Sequence, residues 1–93
     1  MPIEMRTHGY NWRAVLRQQD IFCAIVTPGW HRDPLAQRQY AYARELGLPI
    51  FLCIKAGTPL PAHADEHQWR VYETPEECAL LVAAIEKGTW REP

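Results

Sequence analysis

The sequence predicts a small α/β domain with a parallel sheet of three or four strands between helical layers. Two apolar runs, residues 21–26 and 50–54, flank a segment with helical spacing. Short runs without a polar residue are typical of strands covered on both faces, and parallel strands need a crossover that is usually a helix. The loops after these strands, residues 27–33 and 55–61, then share one edge of the sheet, where open α/β sheets bind ligands.

Composition and charge narrow the class of protein. Ninety-three residues predict a single domain over residues 1–93 with a thin core, for which self-association is expected. The net charge of −1 argues against general binding to nucleic acid or to membrane surfaces. The start of the chain has no signal-peptide pattern and no apolar run approaches the length of a membrane span, so we expect a cytoplasmic protein.

The cysteines and histidines have spacings that predict no metal site. Cys23, Cys53 and Cys78 lie inside apolar runs, and their odd number and wide spacing predict buried core thiols in a reducing compartment. His63 and His67 are four residues apart with acids between them, a spacing that zinc sites use on helices. No third ligand is evident, and exposed loop residues are the favoured interpretation.

Capping signals predict the helices before and after the first strand. Asn11 is suited to cap a short helix with Trp12 at its start, because its side-chain oxygen can accept an amide of the first turn. Asp33 followed by proline predicts the start of the crossover helix, which runs to about Leu46 and stops at Gly47. Residues 2–8 alternate weakly and are compatible with an edge strand or a loose arm.

The second half predicts a long loop, a short strand and a last helix. Residues 56–68 form a connection rich in Gly, Pro and Ala, and residues 69–73 form a third strand. Thr74 as cap with Glu77 three residues later predicts a capping box. One apolar face follows at i, i+3, i+4 and i+7, and Gly88 ends the helix; that face comprises Cys78, Leu81, Val82 and Ile85.

The central stretch, residues 9–55, resembles bacterial Toll/interleukin receptor (TIR) domains and the related nucleoside deoxyribosyltransferases. Their pattern is a Gly and a Trp before a helix, an Asp-led strand ending in Ser/Thr-Pro, a second helix, and a Gly-x-Pro turn. The matching residues are Gly9, Trp12, Asp20, Thr27, Pro28, Ala43, Gly47 and Ile50. The run from Tyr40 to Ala43 is similar to the transferase helix. The resemblance implies a TIR-like, flavodoxin-like fold and a nucleotide-type ligand such as NAD, ADP-ribose or a nucleoside.

The chain departs from these families in two ways. It begins too late to hold their first strand and helix in full, so we expect an abbreviated version. The resemblance also implies a catalytic glutamate in the crossover helix, but the two aligned positions are Gln39 and Gln37. Glutamine cannot supply the negative charge of a nucleophile or of an oxocarbenium stabiliser. Asp33 is the remaining weak catalytic candidate, since Glu45 lies in the last helical turn.

The loops at the carboxyl edge offer hydrogen-bond donors, a flat ring and positive charge, which suit a nucleotide. The predicted ligand-binding residues are Thr27, Gly29, Trp30, His31, Arg32, Lys55 and Gly57. The alternative is an ordinary turn in which Trp30 covers the core and Lys55 is solvated.

Two functions therefore remain open. The first is a catalytically incomplete module that binds a nucleotide-type ligand or assembles with copies of itself, and an excess of Trp and Tyr favours the assembly. The second is an enzyme that cleaves the N-glycosidic bond of NAD or a nucleoside, completed by a neighbouring subunit. We expect no bound cofactor or metal, and the sequence leaves enzymatic activity, ligand identity and oligomeric state undecided.

Overall fold

The computed structural model of the protein describes residues 11–88 and confirms a small three-layer α/β fold. Its elements are, in chain order, α1 (Trp12–Arg17), β1 (Phe22–Val26), α2 (Pro34–Leu46), β2 (Ile50–Lys55), β3 (Gln68–Tyr72) and α3 (Pro75–Lys87). The three strands are parallel and lie in the order β1-β2-β3. The predictions for residues 2–8 and 89–93 lie outside the described residues.

The capping predictions are confirmed. The Asn11 side chain accepts a hydrogen bond from the Ala14 amide at 3.2 Å. The Asp33 carboxylate accepts from the first two free amides of α2. Thr74 and Glu77 form the reciprocal capping box of α3. Gly47 ends α2 with φ of 75°, a conformation that a residue without a Cβ adopts at little cost.

One face of the sheet packs against α2. Tyr40 and Ala43 of this helix are buried against alternate residues of β1 and β2, and Trp30 and Leu48 pack at the margin of the cluster. The strand residues of this cluster are Ala24, Val26, Ile50, Leu52 and Ile54.

The opposite face packs against α3 through the apolar stripe predicted from sequence. Cys53, Tyr72 and Ile85 form its buried centre, and Cys78, Leu81 and Val82 pack beside them. Burial and the neighbouring Cys78 raise the pKa of Tyr72. This helix therefore lies over β2 and β3 and leaves the same face of β1 uncovered.

The crossover from β2 to β3 contains no α-helix. Residues 56–67 cross the α2 side with one 3-10 turn, Ala64–Glu66, whose first residue is buried in the core. The Tyr40 hydroxyl donates to the Ala62 carbonyl oxygen at 2.6 Å, and Arg44 lies 3.8 Å from the Glu66 carboxylate. Side chains of α2 thus stabilise the connection between β2 and β3, which contains no α-helix.

Two details correct the sequence analysis. The third strand spans Gln68–Tyr72 instead of 69–73, because the Glu73 amide donates to the Glu77 carboxylate at 2.6 Å and belongs to the cap of α3. Only Cys53 is a fully buried thiol. Cys78 is half-buried and Cys23 is exposed, since no element between residues 11 and 88 covers its face of β1.

Candidate functional site

The loop after β1 folds as a 3-10 turn, Trp30–Arg32, at the carboxyl edge of the sheet. The Thr27 hydroxyl accepts a hydrogen bond from the Trp30 amide at 3.4 Å, and the Thr27 carbonyl accepts from the same amide at 2.9 Å. Gly29 precedes the turn with an ordinary helical φ of −66°. The strand thus ends at Val26, and the predicted loop 27–33 follows it with Gly29 in a conformation that any residue adopts.

Trp30 and His31 join the two loops at this edge. The Trp30 ring packs on the core and meets the Tyr40 ring edge-on, with ring centroids 5.4 Å apart. His31 Nε2 lies 2.7 Å from the Pro59 carbonyl oxygen in the second loop. The core-covering role of Trp30 is thus observed, and its role as a base-stacking surface stays a prediction.

The cations predicted to bind phosphate lie on different sides of the sheet. Lys55 is exposed and has the same orientation as Cys53, toward the α3 face, whereas Trp30 packs on the α2 face. Arg32 is exposed at the end of the 3-10 turn. Gly57 lies in a tight turn with φ of 85°, in which the Thr58 amide donates to the Lys55 carbonyl. The seven predicted residues share the edge but do not line one cavity.

The three weak catalytic candidates have different surroundings. Gln37 donates its side-chain amide to the Trp30 carbonyl at 2.8 Å, and Asp33 accepts the amides of Leu35 and Ala36. Gln39 is half-buried on α2. The side chains of Gln37 and Asp33 therefore stabilise the start of α2, and a catalytic role for any of the three stays a prediction.

Sequence reasoning missed an apolar groove between β1 and α3. It has a volume of about 540 Å³. Ile25 lines it on the β1 side, and Ala79, Val82 and Ala83 form the wall on the α3 side. The charged side chains along it are Lys55, Glu73 and Glu86.

The groove exists because no segment between residues 11 and 88 packs on this face of β1. Ile25 is 47% exposed, whereas its neighbours Ala24 and Val26, which face α2, are 6% and 0% exposed. A strand with apolar residues on both faces usually has both faces buried. The i, i+4 pair Ala79 and Ala83, beside the buried stripe of α3, was the sequence signal for the groove, because alanines widen an apolar helix face without filling the space next to it.

A pair of thiols lies on the same face. Cys23 is opposite Phe51 in the strand register, so Cys23 and Cys53 are diagonal neighbours on β1 and β2. The interaction between the two thiols lowers the pKa of Cys23 and raises that of Cys53. Burial raises the pKa of Cys53 further. Cys23 is therefore the thiol that ionises first.

His63 and His67 contact other side chains of the α2 side, and no group of three metal-ligating side chains occurs among residues 11–88. His63 Nδ1 lies 3.2 Å from the Glu66 carboxylate, and this contact lowers the pKa of Glu66. The His67 ring meets the Tyr40 ring edge-on at 5.9 Å, and burial lowers the pKa of His67. Both histidines thus stabilise the crossover loop.

None of the helices within residues 11–88 combines the length and the apolar character needed to cross a membrane. Comparison with known proteins gives no further assignment: no protein-family model matches the chain, and no similar curated protein or solved structure was found.

Proposed function

We propose that this chain is an assembly module that binds another protein surface through the uncovered face of β1 and the adjoining groove. The observation that carries the proposal is the difference between the two faces of one strand, with Ile25 about half exposed and Val26 fully buried. Burying an aliphatic side chain of this kind stabilises a contact by roughly 1.5–3 kcal/mol when burial is complete. An apolar strand face beside an apolar groove is a favourable surface for association.

The test is self-association measured by sedimentation velocity over a wide range of protein concentration. Ile25→Lys places a charge on the uncovered face and should abolish concentration-dependent association. Leu60→Lys is the matched control, because Leu60 is 48% exposed, close to the 47% of Ile25, but lies in the crossover loop away from the groove. Equal behaviour of the two variants would contradict the proposal, provided that both retain the circular dichroism of the wild-type protein.

A nucleotide-type ligand at the carboxyl edge is a second candidate. It is favoured by the exposed cations Arg32 and Lys55, neither of which takes part in the two ion pairs found within residues 11–88. The resemblance to TIR domains, and with it NAD, ADP-ribose or a nucleoside as ligand, rests on the sequence motifs alone. The enzyme that cleaves an N-glycosidic bond is a further proposal, which requires that this ligand binds.

The three free thiols suit the reducing cytoplasm expected from sequence.

Thermal-shift titration with NAD, ADP-ribose and nucleotides tests this candidate. A ligand present at about 100 times its dissociation constant stabilises the folded state by roughly 2.7 kcal/mol. Lys55→Ala and Arg32→Ala should remove the shift, whereas replacing Trp30 would disturb the core and confuse the result. If none of these ligands raises the melting temperature, the second candidate and the enzyme derived from it are both wrong.

A further inference from the structure

We infer that the occupant of the groove is a second copy of this chain, docked by its own β1 face about a twofold axis. In this dimer the two β1 strands run in opposite directions, and Lys55 lies across from Glu86 of the partner subunit. The inference rests on the proposed function, because it assigns the partner and the geometry to the same surface.

Shape is the first reason for a second copy. A twofold contact pairs one patch with itself, so the patch must hold both a protrusion and the cavity that receives it. Ile25 is the protrusion, since its side chain is half exposed and no segment between residues 11 and 88 covers this face of its strand. The wall formed by Ala79 and Ala83 is the cavity, because two small side chains leave room beside the helix. Two such patches can interlock, each Ile25 entering the groove of the other copy.

Charge is the second reason for a second copy, and it also determines the relative direction of the two β1 strands. Lys55 follows the last residue pair of β1 and β2, Val26 with Ile54, at the carboxyl edge. Glu86 lies near the opposite end of the groove, where its charge acts on Cys23. If the strands ran in the same direction, Glu86 would meet Glu86 of the partner subunit. The opposite direction instead replaces this contact between like charges by two symmetric contacts between Lys55 and Glu86 of the partner subunit, which attraction between unlike charges favours.

The size of the domain is consistent with this partner. Small chains bury a low fraction of their surface and gain stability by oligomerisation. Docking of two β1 faces would cover the exposed side chain of Ile25 in both copies at once. A closed pair also leaves no matching patch open for further growth, so the expected product is a dimer and not a filament.

Charge reversal tests the orientation. Lys55→Glu and Glu86→Lys should each weaken the dimer by about tenfold, the effect of one unfavourable exposed contact repeated in two symmetric places. The double variant K55E/E86K restores unlike charges across the interface and should recover the wild-type dissociation constant. Arg38→Glu is the control, because Arg38 is exposed on α2 on the other side of the sheet. Dissociation constants come from sedimentation equilibrium.

Cross-linking tests the contact itself. A bis-maleimide with a flexible spacer should join two wild-type chains through Cys23, which is exposed on the β1 face of each copy. Cys23→Ser should abolish the covalent dimer, whereas Cys78→Ser should retain it, since Cys78 is a half-buried residue of α3 that packs against the sheet.

The outcomes of these experiments distinguish a failure of the proposed function from a failure of the twofold dimer alone. A wild-type chain that stays monomeric at high concentration overturns the twofold dimer and also the self-association by which the proposed function is tested. Association that Ile25→Lys abolishes, but that neither charge reversal weakens and Cys23 does not cross-link, overturns the twofold dimer alone and leaves another protein surface as the occupant of the groove. Loss with each single reversal and recovery in the double variant supports the dimer.

Discussion

Tyr40→Phe removes one hydroxyl that holds the crossover between β2 and β3. The Tyr40 ring is 5% exposed, and its hydroxyl donates to the Ala62 carbonyl oxygen at 2.6 Å. The connection it fastens has no helix, and the 3-10 turn Ala64–Glu66 is its one regular element. The substitution preserves the ring and its edge-on contacts with Trp30 and His67, so the effect isolates the hydrogen bond.

Tyr40→Phe should lower the free energy of unfolding by about 1 kcal/mol, the usual net contribution of a neutral hydrogen bond. The hydrogen bond is part-buried between the buried Tyr40 and the exposed Ala62, so a value within the usual range of about 0.5–1.5 kcal/mol applies. In a domain of this size, a loss of about 1 kcal/mol lowers the melting temperature by roughly 4–8 °C. The loss is local to the loop, so amides of its 3-10 turn should exchange with solvent about five times faster.

Urea unfolding and hydrogen exchange of the Glu66 and His67 amides measure the two effects. These amides donate to His63 and Ala64 carbonyl oxygens at 3.0 Å in the fastened loop. Tyr42→Phe is the matched control. Its hydroxyl accepts from Arg17 at an exposed site, so its removal should cost less than about 0.5 kcal/mol. Equal destabilisation by the two substitutions, or unchanged exchange in Tyr40→Phe, would refute the idea that α2 fastens the loop.

Four further predictions concern stability and reactivity. Leu52→Ala, at a fully buried central position, should lower the free energy of unfolding by about 2–5 kcal/mol in urea titration. Thr74→Ala removes the cap of α3 and should cost about 1 kcal/mol by the same measurement. Burial lowers the pKa of His67 from its usual 6.5, so its contribution to stability is present above pH 6.5 and is lost as the pH falls through the folded-state value; His67→Gln should therefore flatten the loss of stability in acid. In the native protein Cys23 should react first with a thiol reagent and Cys53 last, as peptide mapping by mass spectrometry would show, because Cys23 is exposed with a lowered pKa and Cys53 is buried.

Local chemistry explains why most of the fold was predictable. The starts of α2 and α3 depend on side chains next to them in sequence, Asp33 and Thr74, whose oxygens satisfy free amides of the first turn. The end of α2 depends on Gly47, whose left-handed conformation is favourable without a Cβ. Such signals act over four residues or fewer and can be identified in the sequence without knowledge of the tertiary structure.

The site was less predictable, because it depends on what covers each strand. Cys23 and Ile25 have the apolar surroundings of core residues in sequence, but no neighbouring residue tells whether a helix will lie above them. Lys55 and Trp30 were assigned to one site because both follow strands. The alternation of side chains along β2 and the packing of Trp30 on the core place them on opposite faces. Only the tertiary arrangement contains this information.

The uncovered surfaces follow from the widths of the elements. A helix with its side chains is about 10 Å wide and adjacent strands are about 4.8 Å apart, so one helix covers roughly two strands of a sheet. Here α2 packs on β1 and β2, and α3 packs on β2 and β3. A three-stranded sheet with one helix on each face therefore keeps one strip exposed per face, at opposite edges. On the α2 side this strip includes Trp69 and Val71, which are 40% and 52% exposed.

The two strips differ in a way that favours β1 as the interface. The crossover loop runs over the α2 side near β3 and buries Ala64 there, so that strip already has a partial cover from within the chain. Over β1 no such segment is found between residues 11 and 88, and the uncovered strand borders a groove whose wall carries alanines. A surface gains most from association where apolar area is exposed and no internal segment competes for it. The strand most accessible to a second copy is thus the one that the helices between residues 11 and 88 leave uncovered.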